Sequence, residues 1–254
     1  FDWDGTLMDS EAKIVACLQA AAAEMGVPTP AETEARQVIG LGLQEAVRML
    51  FPDSDEETYR GLADAYRDHF LVRNRARSRL FPGVVETLTS LSDDYLLAVA
   101  TGKSRRGLEK ELDESGLRPF FQATRCADEA FSKPHPQMLE DILEKLGMMP
   151  SDTLVVGDTE YDMRMAISAG SHGLGVSYGV HEPQRLIDSG LLDGGHIDRR
   201  ILTVQVGQRV ERADQDRSQN EDVLPKRILV HHDSGLPKRC GPGCTGPQQV
   251  ITFP

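Results

Sequence analysis

Apolar residues recur at helical spacing through the first third of the chain. One amphipathic helix, starting after Ser10, is predicted by apolar positions at Ile14, Leu18, Ala22 and Met25. A second, starting near Asp55, is predicted by Tyr59, Leu62, Tyr66 and Phe70. Between them, Gly40 and Gly42 indicate a turn that precedes a further helix. The pattern therefore predicts that residues 10–80 are helical throughout.

From Phe81 onward, short apolar runs alternate with amphipathic stretches. A short helix leads into a buried strand, and strands are predicted at 95–100, 122–126, 153–156 and 173–177. Helices are predicted between these strands, at 104–115, 136–146 and 160–169. Strands that alternate with helices form a parallel sheet covered on both faces. We therefore predict an α/β fold, with a Rossmann-like parallel sheet and an inserted all-helical cap.

This prediction divides the chain of 254 residues into three parts. The α/β core comprises residues 1–9 and 81–192, and the helical cap is inserted as residues 10–80. Residues 193–254 show no sustained helical or strand period. We therefore expect an atypical, disordered C-terminal tail.

Charge and composition narrow the classes of function. The formal net charge of -12 would repel a nucleic acid backbone or an anionic membrane surface. No apolar run approaches the length that spans a bilayer. The four cysteines are too few and too scattered for a disulfide framework, and a reducing cytoplasm fits them best. A phosphate-bearing substrate would also be repelled, so its site needs lysines, helix N-termini and a divalent cation.

Four short stretches carry candidate chemistry, each at the C-terminal end of a predicted strand or in the loop after it. Open parallel sheets place their ligands at that edge. The first stretch contains Asp2 and Asp4, of which one carboxylate could attack phosphorus while the other handles protons. The second contains Thr101 and Gly102, whose hydroxyl and backbone N–H groups suit a phosphate oxygen.

The remaining two stretches supply a lysine and further carboxylates. Lys133 precedes a proline, which holds it on a rigid loop where it can pair with an anion. Asp158 and Asp162 follow a buried strand, and such oxygen ligands suit magnesium, although Asp162 could instead cap the next helix. Beside Thr101, two residues are weaker candidates, because Ser104 fits an ordinary N-cap and Lys103 could point to solvent.

These stretches resemble the four motifs of the haloacid dehalogenase superfamily and occur in the same order. The residues that match are Asp2 with Asp4, then Thr101, then Lys133, then Asp158 with Asp162. The resemblance covers residues 1 to about 190 and includes a helical cap between the first two motifs. It looks like the branch that contains phosphoglycolate phosphatase. In that family a hydrophobic strand precedes the nucleophile, so the first strand of the core is expected to be missing from a chain that begins at Phe1.

The resemblance implies catalytic roles. Asp2 would be the nucleophile that forms an aspartyl-phosphate, and Asp4 the acid that protonates the leaving oxygen and then activates water. Thr101, Gly102 and Lys133 would bind the transferring phosphoryl group.

The resemblance also implies a metal. Mg²⁺ would be held by Asp2, the backbone carbonyl of Asp4, and Asp158, with Asp162 supporting the metal or Lys133. The implied reaction is the magnesium-dependent hydrolysis of a small phosphorylated metabolite.

Other activities stay open as alternatives. Asp4 argues against a dehalogenase, which lacks this second aspartate. Asp4 also argues against a phosphonatase, which has a small residue at that position and uses a lysine of the cap. Lys13, the one lysine in the predicted cap, would be the candidate for that role. A sugar phosphomutase of the same branch would carry a polar cap loop, whereas residues 40–43 are apolar or glycine. The non-catalytic alternative is a truncated copy that binds phosphate or a partner. Against it, the chain keeps every charged group of the four motifs.

Overall fold

The computed structural model describes residues 1–189 and the strands at 191–192, 196–197 and 201–204. Two short antiparallel strands, β1 (Met8–Asp9) and β2 (Arg79–Leu80), mark where the chain leaves the core and returns to it. The prediction that residues 10–80 are helical throughout is therefore wrong at their C-terminal end. There the returning backbone pairs with the outgoing one, with Arg79 opposite Asp9.

The cap consists of α1 (Glu11–Glu24), α2 (Glu32–Gln37), α3 (Leu43–Leu50) and α4 (Glu56–Asp68), and α4 continues into a π-helical turn at His69–Arg73. The apolar faces that the sequence predicts meet inside it, where Ile14 and Leu18 of α1 pack with Val38 and Phe70. Asp55 begins α4 as its N-cap, accepting a 2.8 Å hydrogen bond from the amide of Thr58.

The core contains two parallel strand pairs. The first is β3 (Leu97–Thr101) with β4 (Phe121–Cys126), and the second is β5 (Leu154–Gly157) with β6 (His172–Val176). The helices around them are α5 (Val84–Ser92), α6 (Arg105–Ser115), α7 (Gln137–Leu146), α8 (Glu160–Ser168) and α9 (Pro183–Asp188). The predicted alternation of strand and helix is confirmed.

Helices cover both faces of this sheet. In β3, Val99 packs with Leu88 of α5 and Leu108 of α6, whereas the next residue, Ala100, packs with Met138 of α7 and other residues of a separate cluster. Successive side chains of a strand point to opposite faces, so the two clusters are the two sides of one sheet.

Residues 1–2 join the two strand pairs. The carbonyl of Phe1 accepts a 3.0 Å hydrogen bond from the amide of Ala100 in β3, and the amide of Asp2 donates to the carbonyl of Val156 in β5 at 2.8 Å. A cavity of about 500 Å³ adjoins Phe1 and is lined largely by apolar side chains of β3, β5 and α7. Asp2 is therefore fixed by the backbone at the centre of the sheet, directly beside the ends of β3 and β5.

Three short strands follow α9. Strands β7 (Leu191–Leu192) and β8 (His196–Ile197) pair with each other, and β9 (Ile201–Val204) extends the sheet in parallel with β6. Strands β8 and β9 lie within residues 193–254, where the sequence shows no sustained period, because strands of two and four residues are too short to establish one. The rest of the predicted disordered tail lies outside the described residues. Within them, no helix is both long and apolar enough to cross a membrane.

Candidate active site

The first predicted stretch makes a sharp turn at Gly5. The carbonyl of Trp3 accepts hydrogen bonds of 2.9 Å from the amides of both Leu7 and Met8, which closes the turn. Gly5 has φ +85°, in the left-handed region that favours glycine. A Cβ atom at this position would collide with the carboxylate of Asp158. The turn therefore packs directly on the fourth stretch and needs a glycine to do so.

Side chains from all four predicted stretches meet at the C-terminal edge of the sheet. They are buried, with exposed fractions from 0% to 7%: Asp2, Asp4, Thr101, Lys133, Asp158 and Asp162. Carboxylate oxygens of Asp2, Asp158 and Asp162 lie within 4.8 Å of one another. Residues far apart in the chain thus form one compact acidic cluster.

Lys133 is the cation in contact with this cluster. Its Nζ atom lies 2.7 Å from Asp2 Oδ1 and 2.6 Å from Asp162 Oδ1. Burial by itself would lower the pKa of Lys133, but the adjacent carboxylates of Asp162 and Asp2 outweigh it and raise that pKa. The lysine therefore stays protonated in the site.

One lysine does not balance three buried carboxylates. Burial, followed by the charges of Asp162 and Asp4, raises the pKa of Asp2 to about 7 against the opposing effect of Lys133. Burial and the charges of Asp2 and Asp162 raise the pKa of Asp158 well above its ordinary value. Asp2 Oδ2 accepts no hydrogen bond from the residues described. Surplus buried negative charge with an unpartnered oxygen fits a divalent cation with oxygen ligands.

The outer oxygens of the cluster are held by short hydrogen bonds. Asp158 accepts from the hydroxyl of Thr6 at 2.7 Å and from the amide of Val180 at 2.8 Å. Asp162 Oδ2 accepts from the hydroxyl of Thr159, the N-cap of α8, at 2.6 Å and from its amide at 3.1 Å. Asp162 thus combines both predicted possibilities, because it caps the helix with one oxygen and contacts Lys133 with the other.

Asp4 lies beside the cluster with partners of its own. Its Oδ1 atom accepts a 2.6 Å hydrogen bond from the hydroxyl of Ser10 and lies 3.1 Å from Lys103 Nζ. The side chain of Lys103 is only 6% exposed, so the possibility that it points to solvent is wrong. Ser10 makes no capping hydrogen bond to α1, since its hydroxyl is directed at Asp4. Ser104 is the N-cap of α6, as the sequence predicts.

Glu111 is a neighbour of the site that the motifs do not reveal. It is buried, lies 3.3 Å from Lys103 Nζ, and accepts a 2.6 Å hydrogen bond from the indole N–H of Trp3. Burial raises the pKa of Glu111 against the opposing charge of Lys103. One sequence signal could have found it: Glu111 shares the buried face of α6 with Leu108 and Leu112, and a carboxylate on an apolar face needs a buried partner.

The cap closes over these side chains. The amide of Gly42 donates a 2.7 Å hydrogen bond to the hydroxyl of Ser132, next to Lys133, and Gly102 has no room for a side chain beside the carbonyl of Leu41. A pocket of about 200 Å³ remains between cap and core. The cap side of this pocket is mainly apolar, and its side chains include Ile14, Leu18, Val38, Leu41, Tyr66 and Phe70, with Gln44, Glu45 and Arg67 as its polar members.

Known proteins are similar to this chain in sequence and in fold. The family described as haloacid dehalogenase-like hydrolase matches residues 1–176. The chain is 35% identical over 204 residues to "Probable phosphatase IndB" of Dickeya dadantii (strain 3937), covering 74% of this chain and 88% of that protein. It is 31% identical over 185 residues to "Phosphoglycolate phosphatase" of Agrobacterium fabrum (strain C58 / ATCC 33970), covering 70% and 79%.

Solved structures agree with the sequence comparison. A crystal structure described as "a predicted phosphoglycolate phosphatase" from Haemophilus somnus 129pt superimposes with a TM-score of 0.66 at 28% identity. The superposition covers 74% of this chain and 88% of that one.

Proposed function

The chain belongs to the haloacid dehalogenase-like hydrolase family and is a phosphatase. We propose that it hydrolyses a small phosphate monoester through an aspartyl-phosphate on Asp2, with Mg²⁺ bound. The observation that carries this proposal is the buried contact of Asp2 with Lys133, at 2.7 Å, beside two further carboxylates. A buried acid next to a fixed cation and a metal-binding cluster is suited to attack a phosphorus centre.

The metal ligands follow from which oxygens are available. Asp2, the backbone carbonyl of Asp4, and Asp158 would hold the cation. Asp162 would chiefly position Lys133, because its two oxygens already accept hydrogen bonds from Lys133 and Thr159. Bound Mg²⁺ supplies positive charge that lowers the repulsion between a carboxylate and a phosphate dianion.

The first chemical step forms a bond between Asp2 and phosphorus. An oxygen of Asp2 attacks as the bond from phosphorus to the leaving oxygen breaks. Thr101 and Gly102 would hold the phosphoryl oxygens with a hydroxyl and a backbone N–H, and Lys133 would neutralise part of their charge.

Asp4 would move the protons. It would first give a proton to the leaving oxygen, and then take one from the water that attacks phosphorus and releases inorganic phosphate from Asp2. Ser10 and Lys103 both contact Asp4 Oδ1, so they fix the direction in which this carboxyl group points.

The pocket limits the substrate. Its small volume favours a small leaving group. Residues 40–43 of the cap loop carry no polar side chain, which is our reason for favouring hydrolysis over phosphomutase chemistry; the polar cap residues Gln44, Glu45 and Arg67 also line the pocket. Phosphoglycolate is the first substrate to test, because relatives carry that name. The free thiols of Cys17 and Cys126 are consistent with a cytoplasmic location, which we also propose.

The test compares Asp2→Asn with a matched variant that removes an exposed carboxylate from the cap, Asp53→Asn. Hydrolysis of p-nitrophenyl phosphate and of a panel of small phosphorylated metabolites is measured with Mg²⁺ and with a chelator. We expect turnover with Mg²⁺ in the wild type and in Asp53→Asn, and none in Asp2→Asn or with the chelator. Turnover that persists in a correctly folded Asp2→Asn variant would refute the nucleophile.

A further inference from the structure

A further cavity, of about 290 Å³, shares Phe70 with the active-site pocket but contains none of the predicted site residues. Its basic side chains come from three parts of the molecule. Lys13 belongs to α1 of the cap, Arg77 and Arg79 belong to the segment that returns to the core, and Lys110 belongs to α6. The cavity therefore lies where the cap, its return segment and the core meet.

The lining is unbalanced in charge. Four cations face two carboxylates, Glu111 and Glu114, in a protein whose formal net charge is -12. Glu111 is already occupied, because it contacts Lys103 and accepts the hydrogen bond from Trp3. Exposed Glu114 is left as the one carboxylate of the lining to balance four positive charges.

The contacts of these four cations leave their charges uncompensated. Lys110 Nζ donates to the carbonyl of Leu71 at 3.2 Å, and Lys13 Nζ lies 4.4 Å from the ring centroid of Phe70. Among the residues that the structure describes, no carboxylate lies within 4.0 Å of any of the four charged groups. Burial and the nearby charge of Lys110 lower the pKa of Lys13, as expected for crowded cations.

One neutral group in the lining also lacks a partner. The hydroxyl of Ser78, between the two arginines, is shielded from solvent and makes no hydrogen bond with the described residues. Buried hydroxyls usually have a partner, so this one is available to a bound molecule. Guanidinium groups bind carboxylate and phosphate oxygens through paired N–H donors.

We propose that this cavity binds a small, multiply charged oxyanion. Its volume lies near the lower limit for small-molecule sites, at roughly 300 Å³, which favours a compact ligand. Because Lys13, Arg79 and Lys110 belong to the cap, the return segment and the core, the bound oxyanion would lie between all three parts. The site takes no part in the reaction proposed above.

Binding is tested by calorimetric titration of the metal-free protein at low ionic strength with two probes, sulfate and succinate. Sulfate represents phosphate-like ligands, and succinate represents dicarboxylates. The test variant is Arg79→Gln combined with Lys110→Gln. The control, Arg106→Gln combined with Lys145→Gln, removes the same charge from exposed positions that do not line the cavity.

We expect the wild type and the control to bind one equivalent of at least one probe with the same affinity. The test variant should bind that probe about tenfold more weakly or worse, which corresponds to a loss of about 1.4 kcal/mol in binding free energy. Saturation by sulfate alone identifies a phosphate-like ligand, and saturation by succinate a dicarboxylate. Equal affinity in the test and control variants, with circular dichroism showing both folded, overturns the proposal, as does a wild type that saturates with neither probe. No turnover enters this measurement, so its failure is separate from failure of the phosphatase mechanism.

Discussion

The Nζ atom of Lys103 lies 3.1 Å from a carboxylate oxygen of Asp4, inside the site. The same ammonium lies 3.3 Å from Glu111 and 4.3 Å from the ring centroid of Phe70 in the cap. Asp4 and Glu111 raise the pKa of Lys103, although burial opposes them. Lys103 therefore supplies the positive charge that lets two buried carboxylates stay close to each other.

Replacing Lys103 by methionine should destabilise the protein strongly. The substitution keeps the apolar stem but leaves Asp4 and Glu111 buried without their cation, and breaking a buried ion pair costs about 3–5 kcal/mol. Urea denaturation measures the free energy of unfolding. The control Lys145→Met changes an exposed lysine and should stay within about 0.5 kcal/mol of the wild type. A Lys103→Met variant as stable as this control would contradict the ion-pair network.

The variant Glu111→Gln tests the same network from its other side. Glutamine can still accept the hydrogen bond of Trp3 but does not attract Lys103 as a charge. Combined with Lys103→Met in a double-mutant cycle, it should show a coupling energy of about 0.5–3 kcal/mol in urea denaturation. Additive effects would show that Lys103 and Glu111 act independently.

The strength and limits of the sequence prediction have physical causes. The strand and helix periods from Phe81 onward are local, so β3 to β6 and the helices between them could be predicted, and the four stretches fall at one edge of that sheet. The partners of Lys103 could not be predicted from the sequence, because its contacts with Asp4 and Glu111 depend on how a loop packs against a helix.

The placement of the cap on the core could not be predicted from the sequence for the same reason. The apolar period predicts its helices, but the hydrogen bond from Gly42 to Ser132 joins residues 90 positions apart, with no signal in either segment. β9 was also missed, because a strand of four residues depends on its neighbour β6 more than on its own pattern.

Replacing Gly5 by alanine should both strain the backbone and displace Asp158. Positive φ costs an alanine roughly 1–2 kcal/mol, and the added Cβ would also collide with the Asp158 carboxylate. The control Gly116→Ala, at φ +72° with no atom within 4 Å of the added Cβ, carries only the backbone cost. Thermal denaturation should therefore show a larger loss of stability in Gly5→Ala than in Gly116→Ala. Mg²⁺ titration should show weaker binding in Gly5→Ala and unchanged binding in Gly116→Ala. Equal losses in both variants would rule out the contact with Asp158.

Without metal, the contribution of Asp2 to stability should fall as the pH rises from about 4 to about 7, against an opposite contribution from His181, whose pKa burial lowers to about 4. Asp2 has a pKa of about 7 in the folded protein against an ordinary 3.8, so the folded state binds its proton more tightly than the unfolded state. This contribution is complete below the unfolded pKa and is lost as the pH rises through the folded pKa. Urea denaturation of the metal-free protein across this range measures the slope.

Two comparisons identify the source of that pH dependence. Asp2→Asn should flatten the slope, whereas Asp53→Asn should not, because only the former lies in the buried cluster. Mg²⁺ should restore stability at about pH 8, where it replaces protons as the balancing charge. A metal-free wild type whose slope between pH 4 and 7 equals that of Asp2→Asn would contradict the raised pKa of Asp2.

Thr159 and Asp162 can be separated by mutation although they form one capping interaction. Thr159→Ala removes the hydroxyl that contacts Asp162 Oδ2 but leaves the 2.6 Å ion pair between Asp162 and Lys133. This variant should therefore lose only about 1 kcal/mol of stability and retain most of the activity. Asp162→Asn keeps the shape but withdraws a charge from fully buried Lys133, so we expect a larger loss of stability and at least a tenfold loss of kcat. Urea denaturation and phosphatase assays on both variants measure this difference. Similar values for the two would mean that Asp162 serves the helix alone, and that Asp2 by itself is sufficient to hold Lys133 in place.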